Sequence, residues 1–264
     1  MKKYFVIGNP IEHSLSPRLH NFWIKENNLE AIYDKKKVTN SEIKSLIQNV
    51  KNQKIQGLNV TVPFKKVVIQ YLDKLSPEAE KTQSVNTILY QKNSLTGYNT
   101  DIAGFTRAIK GLNFDMRNKK VFILGAGGVV PSIIYSLNKM QVSEIFISNR
   151  TRQKAEKIKN YFDDVKIYDW GNIPNFDVII NATSVGLKNE TINLDLSTVG
   201  PDKLFFDVIY NPNETNFLKR GKELGNKTEN GKWMFIYQAF EAFKLWHGIV
   251  PKINTKTLGL LEDD

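Results

Sequence analysis

Two stretches of this chain carry residue types spaced for chemistry. The first is Gly125-Ala126-Gly127-Gly128, which follows the apolar run Val121-Phe122-Ile123-Leu124 and precedes a helical pattern. A Gly-x-Gly turn between a buried strand and a helix lets backbone approach a pyrophosphate, while helix amides and dipole stabilise its charge. The third glycine position of Gly-x-Gly-x-x-Gly is Val130, followed by Pro131, which is tolerable because first-turn amides lack partners within a helix. About 20 residues on, an NAD-binding unit places Asp or Glu to hold the ribose 2′-hydroxyl. This chain has Ser148-Asn149-Arg150-Thr151-Arg152-Gln153-Lys154 there. A carboxylate repels a 2′-phosphate, whereas Asn149, Arg150 and Lys154 bind one, arginine with a two-donor fork. The expected cofactor is NADP(H).

The second stretch is Gly57-Leu58-Asn59-Val60-Thr61-Val62-Pro63-Phe64-Lys65-Lys66, running from a strand pattern through Pro63 into a helix start. Asn59 and Thr61, two apart, then share one strand face. Lys65 falls in the first helical turn, where the dipole disfavours its positive charge and a carboxylate partner would favour it. A lysine so balanced can pass a proton near neutral pH. Reducing a ketone needs such a donor or a metal to polarise the carbonyl. A metal site is disfavoured: cysteine is absent, and the three histidines, His13, His20 and His247, form no His-Glu-x-x-His. The Tyr-x-x-x-Lys pair of short-chain reductases occurs as Tyr33…Lys37 and Tyr135…Lys139. The first lies on an expected strand and the second one turn past the glycine loop, so neither suits the task.

The elements that must position these residues alternate. Strands are expected at 4–8, 31–38, 57–62 and 85–90, with a helix over 17–24 opened by Pro17 and capped by Ser16. A second unit opens near Asp101 and repeats β-α-β: a strand at 121–124, a helix to about Met140, a strand at 144–148, a helix from Thr151, and strands at 177–180 and 204–208. Thr183 and Ser184 then fall at a carboxyl end of the sheet, where such folds bind ligands. A final amphipathic helix spans roughly 232–246. The pattern predicts an α/β fold with largely parallel pairing.

Composition narrows the class. At 264 residues, with 41 % hydrophobic and 24 % charged residues, one large or two modest globular domains are expected. The net charge is +10, but only six of the 37 basic residues are arginine and the lysines are scattered, which describes a solvated surface rather than a nucleic-acid face. The excess helps attract small anions. The apolar run after Met1 is broken by Gly8, Asn9 and Pro10, too short for a signal-peptide core, and the 121–135 stretch is too short and glycine-rich to span a membrane. A cytoplasmic protein without membrane or nucleic-acid partners is expected.

Taken in order, further segments carry a resemblance. They are Ser14-Leu15-Ser16-Pro17, the 57–65 stretch, Val85-Asn86-Thr87, Gly97-Tyr98-Asn99-Thr100-Asp101-Ile102-Ala103-Gly104, the glycine loop and Asn149-Arg150-Thr151. After them come Asn181-Ala182-Thr183-Ser184-Val185-Gly186, Asp207-Val208-Ile209-Tyr210, and Gln238-Ala239-Phe240 with Phe243 and Trp246. Nearly end to end, the chain resembles the shikimate dehydrogenases. The resemblance implies NADPH-dependent, reversible reduction of 3-dehydroshikimate to shikimate in aromatic amino-acid biosynthesis. It implies Ser14 and Ser16 on the substrate carboxylate, and Asn59, Thr61, Asn86, Asp101 and Gln238 on ring hydroxyls. Lys65 and Asp101 become the proton-transfer pair, with Tyr210 near the substrate. For the cofactor it implies Gly125, Ala126, Gly127, Gly128, Asn149, Arg150, Thr151, Lys154, Thr183, Gly231 and Met234. Short hydroxyl and amide side chains suit a small polyhydroxy acid, and Asn59 and Asn86, poor strand formers on expected strands, point to function.

Two positions depart from the family pattern: Val129-Val130-Pro131 where small residues are usual, and Phe235 after Met234 where leucine is usual. The implied architecture is two α/β domains across a cleft. A substrate domain comprises 1–100 plus 236–264, a Rossmann-like doubly wound NADP domain comprises 101–235, and the C-terminal helix returns to the first. A monomer or homodimer is expected. The nearest alternative is a quinate/shikimate dehydrogenase of broader specificity, against whose use of NAD the 149–151 segment argues. A catalytically silent NADP-binding regulator is the reading from another class, and Lys65, Asp101 and the serines speak against it.

Overall fold

The opening apolar run folds as β1 (Lys2–Gly8) in a computed structural model that describes residues 1–262. Then follow α1 (Ser16–Glu26), β2 (Ala31–Lys37), α2 (Asn40–Lys51), β3 (Gly57–Val60), a 3-10 turn (Val67–Tyr71), β4 (Lys74–Leu75), α3 (Pro77–Thr82), β5 (Thr87–Gln91) and β6 (Ser94–Tyr98). They belong to a unit comprising Met1–Gly104 and Ile236–Glu262. Its six-stranded sheet has the order β2-β1-β3-β5-β6-β4. The pairing is largely parallel, as expected, with one antiparallel departure: β1 runs parallel to β2 and β3 and β4 runs parallel to β6, but β3-β5 and β5-β6 are antiparallel. The β5-β6 pairing follows from a two-residue hairpin between Gln91 and Ser94, where Lys92 and Asn93 both take positive φ (48° and 57°). Two such residues give a hairpin turn whose twist matches that of its strands.

Three local expectations fail here. Helix α1 begins at Ser16 with Leu15 at the cap position and no side-chain cap; the Ser14 hydroxyl instead accepts the Ser16 N–H at 3.4 Å. Strand β3 stops at Val60, leaving Thr61 just beyond it, and Asn86 precedes β5 rather than lying in it. Lys65 is not in a helix. Its carbonyl accepts the Val85 N–H at 2.9 Å, which ties it beside the β5 approach, and only the short 3-10 turn follows. The dipole argument therefore does not apply to Lys65.

The second unit, Phe105–Phe235, begins inside α4 (Asp101–Gly111). Asp101 to Gly104 thus belong with the first unit, whereas the sequence-based boundary opens the second at 101; residues 263 and 264 of the expected first domain lie outside the described residues. Then come β7 (Lys120–Leu124), α5 (Val130–Lys139), β8 (Glu144–Ser148), α6 (Arg152–Lys159), β9 (Val165–Tyr168), β10 (Val178–Asn181), β11 (Leu204–Asp207), α7 (Asn216–Glu223) and β12 (Lys227–Glu229). All six strands are parallel in the order β12-β11-β10-β7-β8-β9. The order reverses between β7 and β10, the switch point beside which doubly wound sheets bind ligands. Val130, at the third glycine position, is fully buried with Val121, Ile123, Val178 and Ile180, so this core has room for it.

Helix α8 (Lys232–His247) buries Met234, Phe235, Ile236, Ala239, Phe240, Ala242 and Phe243, while its polar residues Lys232, Gln238, Glu241 and Lys244 are half-buried. The part from Ile236 on belongs to the first unit, followed by α9 (Thr255–Gly259). A Cβ at Gly57 would lie 2.3 Å from the Trp246 indole nitrogen, which donates to the Ile88 carbonyl at 3.2 Å. Only glycine lets the helix close on the sheet there.

Beside this contact, His20 stacks on Tyr33 with centroids 4.2 Å apart, against Trp23, Phe243 and Trp246, and neither ring nitrogen finds a hydrogen bond. Burial, then the charge of His247, pushes its pKa down to about 3. Burial and the nearby charge of Lys2 push His247 down to about 4. An unfolded histidine titrates near 6.5, so below that pH the unfolded chain takes up protons that the folded chain refuses. The stability His20 contributes is full above about pH 6.5 and is lost as pH falls toward 3. His20→Phe is expected to shrink the difference in unfolding free energy between pH 7 and pH 4 by roughly 2–4 kcal/mol. Denaturant titration at both pH values measures it, and comparing within each variant cancels any repacking penalty. An unchanged difference would clear His20 of the acid sensitivity.

Candidate active site

The first unit gathers its polar side chains where β1 and β3 end and where β5 begins. The loops after the two parallel strands are stitched together by the Asn9 N–H, which donates to the Val62 carbonyl at 3.0 Å. One carries Ser14, half-buried, and Ser16, buried; the other carries Thr61, half-buried, and Lys65. The hairpin then returns the chain so that Thr87 pairs with Tyr98, and the Asn86 N–H donates to the Tyr98 carbonyl at 3.0 Å. That register brings Asp101 back to Asn86.

Lys65 Nζ lies 2.5 Å from Asp101 Oδ2, with the two residues 9 % and 6 % exposed. The other carboxylate oxygen, Oδ1, accepts from Asn86 Nδ2 at 2.9 Å. A buried charge is tolerable only when paired and hydrogen-bonded, and this carboxylate is both. Asn86 also donates to Thr100 Oγ1 at 3.0 Å, and its Oδ1 accepts the Thr100 N–H at 2.8 Å. Asn59 donates to the Asn86 carbonyl and to Thr87 Oγ1, both at 3.0 Å, and accepts from the Tyr33 hydroxyl at 2.6 Å. The amide hydrogens of both asparagines are thus spent inside the protein. Toward a ligand, Asn59 offers a lone pair and no hydrogen. Gln238 is half-buried on α8.

The second unit presents its loops at the carboxyl ends of β7, β8, β10 and β11. Gly125 has φ +110°, and a Cβ there would meet the Ala182 carbonyl oxygen at 2.8 Å, so glycine alone fits. Gly127 and Gly128 are exposed just before α5, where a pyrophosphate can approach the backbone, with half-buried Ala126 between the turn and them. After β8, Asn149 donates to the Thr151 carbonyl at 2.8 Å. Arg150 and Lys154 are exposed and enter no ion pair among the described residues, whereas Arg152 pairs with Glu156 and Asp169. The two free cations fit a phosphate. Met234 is buried in the core, and Phe235, the departure from the family pattern, stacks on half-buried Tyr210 at 4.3 Å. Gly231 has a packing reason of its own: a Cβ would sit 2.2 Å from the Val208 carbonyl oxygen.

Sequence reasoning assigns no role to Tyr33, Thr87, Asn181 or Asp207. Asp207 is fully buried, accepting from Asn181 Nδ2 at 3.1 Å, Thr215 Oγ1 at 2.7 Å and the Ile209 N–H at 3.0 Å. Burial pushes it up to about 6 against those hydrogen bonds. Its protonated form is thus favoured in the folded chain, and its contribution to stability falls as pH rises from about 4 to 6, opposite in sign to His20. Asn181 Oδ1 accepts both the N–H and the hydroxyl of Thr183, at 3.0 and 2.7 Å, so Asp207 holds that loop through Asn181. The available signal is a polar residue ending each apolar strand run.

A cavity of about 450 Å³ lies at the opposite end of the first sheet, lined by Met1, Lys2, Glu30 and Gln56 among others, and contains none of these groups. Among the described residues no three His, Asp or Glu cluster to hold a metal, and no helix is long and apolar enough to cross a membrane.

Comparison with known proteins points the same way in both units. Residues 6–88 match the family model of the shikimate dehydrogenase substrate binding domain, and residues 107–208 that of shikimate / quinate 5-dehydrogenase. A shikimate dehydrogenase (NADP(+)) of Pelagibacter ubique (strain HTCC1062) is 54 % identical over 264 residues, covering 99 % of this chain and 100 % of that one. The crystal structure of shikimate dehydrogenase from Aquifex aeolicus superposes with a TM-score of 0.91 at 35 % identity, covering 100 % and 98 %. Shikimate 5-dehydrogenase from Thermus thermophilus, in complex with NADP(H) and shikimate, superposes with a TM-score of 0.87 at 30 % identity, covering 99 % and 97 %.

Proposed function

The chain belongs to the shikimate dehydrogenase family, and on that premise we propose that it interconverts 3-dehydroshikimate and shikimate with NADP(H), in the pathway to the aromatic amino acids. The observation that carries the reading is the buried Lys65–Asp101 pair at 2.5 Å, with Asn86 on the second carboxylate oxygen. Bound NADPH supplies a hydride to the ketone carbon. Lys65, acting with Asp101, supplies the proton to the carbonyl oxygen, and in oxidation takes it from the hydroxyl. Ser14 and Ser16 take the substrate carboxylate. Asn59, Thr61, Asn86, Asp101 and Gln238 order the ring hydroxyls, and Tyr210 borders the substrate.

The cofactor pyrophosphate lies along Gly125, Ala126, Gly127 and Gly128, with Asn149, Arg150, Thr151 and Lys154 around the 2′-phosphate. Thr183, Gly231 and Met234 complete the cofactor contacts. The enzyme acts in the cytoplasm, on a small-molecule substrate, as a monomer or homodimer. Absorbance of NADPH during shikimate oxidation tests the reading, with NAD in place of NADP and quinate in place of shikimate as the other arms. Shikimate is expected to turn over at least about tenfold more efficiently with NADP than with NAD, the discrimination of one lost charge-assisted contact, and to be preferred to quinate. Equal efficiency on quinate would make this a quinate/shikimate dehydrogenase of broader specificity, and no oxidation of either acid would remove the function.

A further inference from the structure

We propose that Thr87 and Tyr33 are positioning residues for the Lys65–Asp101 pair, acting through Asn59 and Asn86; the proposal rests on the proton-transfer reading of that pair. Five buried side chains form a hydrogen-bonded series in which every link donates in the same direction. The Tyr33 hydroxyl donates to Asn59 Oδ1 at 2.6 Å, and Asn59 Nδ2 donates to Thr87 Oγ1 at 3.0 Å. The Thr87 hydroxyl donates to Asn86 Oδ1 at 3.1 Å, and Asn86 Nδ2 donates to Asp101 Oδ1 at 2.9 Å. Thr87 is fully buried and Tyr33 is 1 % exposed.

The direction is set by groups that cannot reverse. The Thr100 N–H can only donate, and it faces Asn86 Oδ1 at 2.8 Å; the Asn86 carbonyl can only accept, and it faces Asn59 Nδ2 at 3.0 Å. With both amides so oriented, the Thr87 oxygen receives a hydrogen from Asn59 and its own hydroxyl donates to Asn86 Oδ1 at 3.1 Å. The Thr100 hydroxyl, which also donates to Asn86 Oδ1 at 3.2 Å, is the longer neighbour of Thr87 Oγ1 at 3.4 Å. Asn86 therefore presents a hydrogen, never an oxygen, to Asp101. A carboxylate that meets a fixed donor on Oδ1 keeps Oδ2 for the lysine and keeps its charge. Reversing Asn86 would set its amide oxygen against the carboxylate and its NH2 against the Thr100 N–H, and the Thr87 hydroxyl adds a second donor that holds Oδ1 where it is. Buried polar networks specify one arrangement when every member is satisfied.

The test removes single hydroxyls without changing shape, in the full-length enzyme. Thr87→Val and Tyr33→Phe are each expected to lower kcat for shikimate about tenfold, the worth of one hydrogen bond, with KM for shikimate moving less than about threefold. The acid limb of the kcat–pH profile is expected to move to higher pH, because a carboxylate that loses support is easier to protonate. Thr87→Ser is expected to restore kcat to within about twofold of the parent. In an Asp101→Asn background, Thr87→Val is expected to add less than about twofold, since its effect runs through the carboxylate. Equal losses in both backgrounds, or an unmoved pH profile, overturn the proposal. If Thr87→Val does not fold, Tyr33→Phe alone decides it by the same two comparisons. The premise fails separately, if Lys65→Ala retains turnover.

Discussion

Lys65→Ala is expected to cut shikimate turnover by ~10²–10⁴-fold, the usual contribution of a positioned proton donor. Lys65 Nζ is 2.5 Å from Asp101 Oδ2, and no second cation is paired with that carboxylate among the described residues. KM for shikimate is expected to change much less, because Ser14, Ser16, Asn59, Thr61 and Asn86 remain. The substitution also leaves Asp101, 6 % exposed, without its counter-ion, and breaking a buried pair destabilises a protein by ~3–5 kcal/mol. Melting temperature and NADP binding must therefore be measured beside the kinetics, to separate lost chemistry from lost fold. Asp101→Asn is expected to move both kinetic constants, since it disturbs a hydroxyl contact as well as the lysine. The double variant is expected to fall well short of the product of the single losses, as residues acting as a unit do. A folded Lys65→Ala enzyme turning over within about threefold of the parent would refute the mechanism while leaving the family membership intact.

Arg150→Ala is expected to weaken NADP binding about ten- to hundredfold, corresponding to a charge-assisted contact of ~1.5–3 kcal/mol, and to leave NAD binding nearly unchanged. The neighbouring arginine provides an internal control. Arg152 is held by Glu156 and Asp169, whereas Arg150 has no ion-pair partner among the described residues and is exposed after β8. Arg152→Ala is therefore expected to change the affinity for either cofactor by less than about threefold, the scale of an exposed pair. Raising salt should erode the parent's preference for NADP, because an exposed cation on a phosphate is screened. Fluorescence titration with both cofactors reads the ratio, and equal weakening for NADP and NAD would remove Arg150 from the phosphate site.

The second unit is legible in the sequence because its strands are continuous apolar runs and its glycine turn has few other uses. Residues 121–124 and 144–148 could hardly be anything but central parallel strands, and their C-terminal ends locate the proposed cofactor loops. The first unit is harder. Its hairpin turns at Lys92-Asn93, and lysine at the first central position hides a turn that Asn-Gly would have announced. Without that turn the strands look parallel, and the meeting of Asn86 with Asp101 follows from the antiparallel register. Pro63 makes Lys65 resemble a helix start, yet the bond from Val85 to its carbonyl is a tertiary contact that no local pattern carries. Tyr33 and Thr87 stay hidden for a related reason. Each is a good strand former lying in a strand, and only three-dimensional pairing shows its hydroxyl at work. The lysines are dispersed, and some pair with surface carboxylates: Lys37 with Glu12, and Lys120 and Lys166 both with Glu144.

The separation of residues 1–104 from 236–262 within one unit has a consequence for biosynthesis. A chain emerging from the ribosome delivers all of residues 105–235 before the last part of the first unit exists, and domains fold as units during synthesis. The uninterrupted unit is therefore complete first, although it comes second in the chain. The earlier sheet meanwhile waits with the bare backbone of Gly57 and the Ile88 carbonyl uncovered, until Trp246 has been translated and can close over both. Lys65 and Asp101, the proposed proton-transfer residues, are synthesised early but become part of a finished unit only after residues 236–262 have been translated.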